Sequence, residues 1–310
     1  MKQATIVCVL GPTASGKTTL ATQLVKVMPF EIISVDSALV YKGMNIGTAK
    51  PSAEALAAAP HRLIDFLDPS EAYSAARFCA DARREIADIV AQGHIPLLVG
   101  GTMLYFRTLL HGIASMPPAD QAVRSALSQE AEQSGWPVLH QQLMRVDPLA
   151  ASRIHPNDPQ RIQRALEVYR LSGKPISSWQ ADTNAAFPYQ VVLVGLMPSD
   201  RTVLHERIAT RFTQMLAAGL IEEVQQLYAR GDLNLSMPSM RAVGYRQVWE
   251  YLDGTLSYTQ MEEKAIVATR QLAKRQMTWL RSMANIQFFD CLNKDLESGV
   301  LKALQDSRIN

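Results

Sequence analysis

The chain has 310 residues, 47% of them apolar and 19% charged, with a formal net charge of +2. That length and apolar share are enough to bury a substantial core in one large domain or two unequal ones. The near balance of charge gives no argument for nucleic-acid binding by itself, so any basic surface must be local.

Cys8, Cys79 and Cys291 lie far apart without a CxxC pair, which argues against a disulfide framework or a thiolate zinc site and fits a reducing cytoplasm. Lys2 leads through a short apolar run straight into a glycine loop, with no leader-peptide pattern. No apolar stretch approaches membrane-spanning length, so a cytoplasmic protein without a membrane partner is expected.

Thr5 to Leu10 is apolar and β-branched and predicts a strand. The turn at Gly11 ends it, and Lys17 to Met28 takes up a helical pattern. Glu31 to Asp36 repeats the strand signal and ends on a carboxylate. Residues 71 to 92 predict a helix, with Phe78, Ala82, Ile86 and Ile89 at helical spacing, and Ile95 to Val99 predicts a strand closed by Gly100, Gly101 and Thr102. This alternation predicts an α/β fold, a parallel sheet flanked by helices on both faces. After Met116-Pro117-Pro118 the chain reads as helical and more polar, without a strand, so residues 118–188 are expected to form an inserted all-helical domain in a core of residues 1–117 and 189–310. Strand character returns at Gln190 to Leu196. Helical segments at 200–230 and 258–283 and a late strand, Ile286 to Asp290, complete the core.

Gly11-Pro12-Thr13-Ala14-Ser15-Gly16-Lys17-Thr18 matches G-x-x-x-x-G-K-[ST] and stands between a predicted strand and a predicted helix, the context that confirms such a match. Its glycines let backbone N–H groups turn inward around phosphate oxygens. The helix N-terminus adds partial positive charge, Lys17 adds a full one, and Thr18 can ligate Mg²⁺. A P-loop of this kind serves kinases, GTPases, ATPases and other transferases. A GTPase needs Asn-Lys-x-Asp, and Asn293-Lys294-Asp295-Leu296 lacks the last acid. A motor or helicase ATPase usually ends its second strand in an acidic pair, whereas Ser37 follows Asp36. A kinase-like or group-transfer site remains.

Asp36 falls at a strand's C-terminal end, where ligands of open α/β sheets bind. Two roles are open to it: general base toward an incoming nucleophile, or a metal-holding carboxylate acting through Mg²⁺. The six histidines show no metal-ligand spacing. Arg161 and Arg164, Arg241 and Arg246 around Gly244-Tyr245, and Arg270, Lys274, Arg275 and Arg281 form local basic clusters, read either as solvated helix faces or as an RNA-facing surface.

The stretch Asp36-Ser37-Ala38-Leu39-Val40-Tyr41-Lys42-Gly43-Met44-Asn45-Ile46-Gly47-Thr48-Ala49-Lys50-Pro51, following the P-loop, resembles the tRNA dimethylallyltransferase (tRNA isopentenyltransferase) family. So do His61-Arg62-Leu63-Ile64-Asp65, Val99-Gly100-Gly101-Thr102, Asn157-Asp158 with Arg161 and Arg164, Gly244-Tyr245-Arg246 and Ala273-Lys274-Arg275-Gln276-Met277-Thr278-Trp279. The resemblance implies a P-loop NTPase-like fold and transfer of a dimethylallyl group from dimethylallyl pyrophosphate to N6 of the adenosine beside the anticodon. The P-loop would hold pyrophosphate rather than ATP, with Mg²⁺ at Thr18 and Arg211 assisting. Lys17, Thr102 and Asp36 would be catalytic, Asp36 as base.

By the same resemblance the target base is flipped into a channel. Contacts to tRNA come from Asp36, Ser37, Ala38, Leu39, Thr102, Arg124, Gln160, Arg161, Ile162, Gln163, Arg164, Arg241, Ala242, Val243, Gly244, Tyr245 and Arg246, and the helical insert holds the anticodon stem-loop. A monomer is expected. Leu39 stands where many family members carry Gln, and no zinc-finger cysteine pattern follows residue 283, so a bacterial-type enzyme is implied.

Overall fold

The computed structural model describes residues 3–181 and 187–307. The chain divides into two compact units, Met1–Leu109 with Pro188–Asn310, and Leu110–Phe187.

Among the described residues the strands are β1 (Thr5–Leu10), β2 (Phe30–Val35), β3 (His61–Arg62), β4 (Ile95–Gly100), β5 (Gln190–Met197) and β6 (Ile286–Asp290). The first helices are α1 (Lys17–Val27), α2 (Ala53–Ala58), α3 (Ala75–Ala91) and α4 (Met103–His111). Then come α5 (Gln121–Ser134), α6 (Trp136–Val146), α7 (Pro148–Ala151), α8 (Pro159–Ser172) and α9 (Ile176–Ala181). The last are α10 (Arg201–Ala217), α11 (Leu220–Ala229), α12 (Tyr245–Leu252), α13 (Tyr258–Arg281) and α14 (Leu296–Asp306).

The six strands form one sheet in the order β3-β2-β4-β1-β5-β6, and every pairing is parallel. Val7 at the centre pairs with Leu97 on one side and Val192 on the other. Val7 and Val9 pack with Leu20, Leu24, Leu97, Val99, Val300 and Leu304 in one core cluster. Ile6, Cys8 and Leu10, which alternate with them and so point to the opposite face, are fully buried too. Apolar side chains at both parities are what a sheet covered on both faces requires. The chain runs from β1 leftward to β2 and later rightward to β5, so β1 lies at the reversal of strand order, where open α/β sheets place their ligands.

The predicted elements are present with shifted ends. Helix α3 starts at Ala75 rather than 71 because the Ser74 hydroxyl accepts the Arg77 amide at 3.1 Å and caps it, and Phe78, Ala82, Ile86 and Ile89 form its buried stripe. The helical run 200–230 is broken into α10 and α11 by Gly219, whose φ of 97° is open to glycine at little cost. The two-residue β3 was not expected, being too short to show a period.

The helical unit has its own apolar core, with Leu127, Leu139, Leu143, Ile162, Leu166 and Val168 at its centre. Within it Glu167 is fully buried.

Candidate active site

The P-loop leaves β1 at Leu10 and enters α1 at Lys17. Gly16 caps α1 in the left-handed region, φ 80°, with no side chain closing the helix end, so the first-turn amides are free for an anion. Ala14 is also left-handed, φ 63°, an uncommon state for a residue with a Cβ and a mark of a backbone bent for a ligand. Gly11 is closely packed: a Cβ there would lie 2.6 Å from Ser15 Oγ and 3.3 Å from the Leu196 carbonyl oxygen. Ser15 is 1% exposed and its hydroxyl has no hydrogen-bond partner among the described residues. Lys17 Nζ donates to Pro12 O at 2.6 Å. Burial lowers the Lys17 ammonium to about 8, with the Asp36 carboxylate opposing that shift and the Arg211 guanidinium adding to it. Arg211 is lowered by burial and raised by Asp36 in turn.

Asp36 follows β2, one residue beyond the strand. Its Oδ1 accepts the Ala38 and Leu39 amides at 2.8 and 3.3 Å, while among the described residues Oδ2 takes no hydrogen bond. The end of β4 packs against it. A Cβ on Gly100 would lie 2.0 Å from the Val35 carbonyl oxygen, so glycine lets β4 approach closely enough for Thr102 Oγ1 to accept the Ser37 amide at 3.1 Å. Thr102 is thereby fixed beside Asp36.

One cleft of about 770 Å³ collects these groups. Of the residues singled out in the sequence, Thr13 to Thr18, Asp36 to Leu39, Thr102, Arg211 and Arg241 to Tyr245 line it. Gly11 and Pro12 are buried behind the loop. Arg246 is exposed and bonds Glu250 at 2.8 Å. Tyr245 is fully buried. Ile208, Phe212, Met215 and Leu272 add an apolar wall.

The remaining predicted residues belong to the helical unit. Gln160 and Arg161 are exposed, and Arg161 faces Asp158 at 3.4 Å. Ile162 is 0% exposed and offers no side-chain surface to a ligand. Gln163 donates to Arg124 O and Ser128 Oγ at 3.1 and 3.0 Å. Arg124 and Arg164 bond Glu167 at 2.8 and 2.7 Å, and each retains an exposed edge.

Besides Ile208, Phe212, Met215 and Leu272, two polar site residues escaped the sequence reading. Gln276 on α13 accepts the Thr13 amide through Oε1 and donates to Gly101 O through Nε2, both at 2.9 Å, tying the P-loop to the end of β4. Glu223 on α11 gathers loop amides from residues 45–47. Neither residue type marks itself in sequence, although Gln276 lies inside a quoted block.

Among the described residues no cluster of three or more His, Cys, Asp or Glu stands ready for a metal. Mg²⁺ is commonly held by one or two protein groups together with substrate phosphates. Thr18, exposed at the head of α1 and lining the cleft, fits that arrangement. The three cysteines are buried and free, and among the described residues no helix is long and apolar enough to cross a membrane.

The IPP transferase family model matches residues 39–283. The chain is similar to the tRNA isopentenylpyrophosphate transferase of Bacillus halodurans, at 37% identity and a TM-score of 0.71 over 99% of this chain and 98% of that one. It is similar to the tRNA delta(2)-isopentenylpyrophosphate transferase of Staphylococcus epidermidis at 34% identity and TM-score 0.71, over 99% and 100% of the two chains. A eukaryotic dimethylallyltransferase acting on tRNA superposes with a TM-score of 0.82 at 27% identity, over 98% of this chain and 79% of that one. Matches of that extent, on a sheet that brings a phosphate loop and a strand-end carboxylate into one cleft, make this chain a member of the IPP transferase family of enzymes.

Proposed function

We propose that the protein transfers a dimethylallyl group from dimethylallyl pyrophosphate to N6 of the adenosine adjacent, on the 3′ side, to a tRNA anticodon. The observation that carries this reading is the composition of this cleft: the P-loop with Lys17, Arg211 and Asp36 near one another, and the apolar side chains of Ile208, Phe212, Met215 and Leu272. A kinase site needs the cations and the carboxylate, but a phosphate group gains nothing from the apolar side chains that line the same cleft. A five-carbon prenyl tail does gain from them.

The free amides at the head of α1, Lys17 and Arg211 bind the pyrophosphate and stabilise the charge that grows on it as the bond from C1 to oxygen breaks. Mg²⁺ at Thr18 supplies further positive charge to those oxygens when bound. The N6 lone pair forms the new bond to C1, the electron pair of the broken bond leaves with pyrophosphate, and the N6 proton passes to the Asp36 carboxylate. Thr102 and Ser37, bonded to each other beside Asp36, hold the acceptor side of the site. A stacked base cannot enter such a cleft, so the adenosine is flipped out, at a cost of a few kcal/mol offset by protein contacts. Arg241 at the rim, and Gln160, Arg161, Arg124 and Arg164 of the helical unit, supply contacts to the tRNA.

The test is to incubate the protein with Mg²⁺ and radiolabelled dimethylallyl pyrophosphate, offering unmodified tRNA in one arm and AMP in the other. Label in tRNA alone is expected. Asp36→Asn should lower the single-turnover rate by about 10²- to 10⁴-fold, with tRNA affinity changed little because Asn still accepts the Ala38 amide. Label in AMP would reassign the acceptor, and label in neither would end the transferase reading.

A further inference from the structure

Glu223 lies on α11, outside every motif singled out in the sequence. Its Oε2 accepts the amides of Asn45 and Ile46, both at 2.8 Å. Its Oε1 accepts the Gly47 amide at 3.2 Å and the Tyr245 hydroxyl at 2.5 Å. Residues 42–52 form no strand or helix, so the amides of Asn45, Ile46 and Gly47 lie outside any ladder and must be satisfied otherwise. Three successive N–H groups converge on one carboxylate, the concavity that elsewhere binds a free anion. Here the protein's own anion fills it.

Tyr245 closes the assembly. Its ring is fully buried against Gly47, where a Cβ would lie 2.5 Å from the ring. Burial and the Glu223 carboxylate raise the phenol well above its usual range, so it remains a donor. Lys50 Nζ, donating to Tyr41 O at 2.7 Å and Asp65 Oδ1 at 2.6 Å, pins the far end of the loop.

The segments held in this way are Gly47 to Ala49 and Gly244-Tyr245, and both line the cleft. Neither belongs to the diphosphate end, which is built from residues 13–18 and Arg211. Of the two, Gly47 to Ala49 keep exposed surface in the cleft, whereas Gly244 and Tyr245 are buried behind it. We propose that Glu223 is a positioning residue for the acceptor, its carboxylate holding residues 45–47 and the buried Tyr245 together as the rigid backing of Gly47 to Ala49, the wall against which the adenosine is seated. This rests on the acceptor assignment made above.

The experiment compares the wild-type enzyme with E223Q, Y245F and the double variant, varying tRNA at saturating dimethylallyl pyrophosphate and measuring inorganic pyrophosphate affinity separately. In E223Q an amide group must face a donor that the carboxylate accepted. The expected result is a fall in kcat/KM for tRNA of roughly tenfold, the scale of one lost bond to a charged group, with pyrophosphate affinity retained. Y245F should shift kcat/KM in the same direction, and the double variant should lose less than the product of the two. An unchanged kcat/KM for tRNA in E223Q overturns the proposal, as does a parallel loss of pyrophosphate affinity, which marks general disruption. If E223Q does not fold, Y245F decides on the same two readouts. A wild-type enzyme that fails to label tRNA at all removes the acceptor assignment itself, a result distinct from a wild type that labels tRNA and an E223Q that matches it.

Discussion

Burial lowers the Lys17 ammonium to about 8, so the charge carried by the P-loop varies with pH close to neutrality. A lysine whose folded-state value is depressed binds fewer protons folded than unfolded, and its burial therefore costs stability below pH 8. That cost is relieved as pH rises from there toward the ordinary lysine range. Binding runs the other way. In the free enzyme, pyrophosphate affinity should be highest while Lys17 is protonated and fall as pH rises through about 8. Lys17→Met separates the two effects: thermal unfolding at pH 7 should move up, pyrophosphate affinity should drop by about tenfold or more, and the basic limb should disappear from the affinity profile. Calorimetry across pH 6.5 to 9.5 reads the binding half. A limb that persists in Lys17→Met assigns the titration to another group.

At the scale of the element, the site depends on how closely β4 approaches β2. A Cβ at Gly100 would sit 2.0 Å from the Val35 carbonyl, a backbone atom that cannot swing aside. Gly100→Ala should therefore cost about 1–3 kcal/mol, the usual range for overpacking, and pull Thr102 away from Ser37. Urea denaturation measures the first effect and the transfer rate the second. If both stay at wild-type values, the close approach is not required.

Helix α8 poses a different problem, a fully buried carboxylate at Glu167. Burial by itself would raise its pKa. Hydrogen bonds from Arg124 and Arg164 and from the Asp120 amide outweigh burial and lower it. A depressed carboxylate contributes stability that is present above its unfolded value, near 4.5, and is lost as pH falls through the lower folded value. Acid unfolding followed by circular dichroism should thus begin at a higher pH in Arg164→Met, which removes one of the two guanidinium partners. An onset identical to wild type would show that the pair contributes nothing to the unit's acid resistance.

At the scale of the whole molecule, the cleft-lining residues all come from one compact unit, while the other unit keeps a core of its own. Leu139→Ala in that core should cost the helical unit about 2–5 kcal/mol. Pyrophosphate affinity should stay at its wild-type value, and transfer to tRNA should fall. Equal loss of pyrophosphate affinity would mean that the phosphate site is not independent of the helical core.

What could be read from the chain by itself was whatever depends on local order. The P-loop is a contiguous run of backbone-determining residues between two patterned elements. The strands that carry it are apolar at both parities, and Asp36 stands at a strand's end. Local signals of that kind were enough to predict a parallel sheet, the P-loop turn after β1 and the carboxylate at the end of β2. The pairings among residues far apart in sequence could not be read in that way. Gln276 meets Thr13 and Gly101, and Glu223 meets residues 45–47 and Tyr245, and no periodicity encodes such contacts because each partner satisfies its own local pattern whether or not the other is near. Arg124 and Arg164 look in sequence like free cations, and only packing shows that a buried Glu167 engages both. A hydrogen bond between distant segments exists only once the sheet has brought them together, and for that reason the bonds of Gln276 and Glu223 were decided by the tertiary structure.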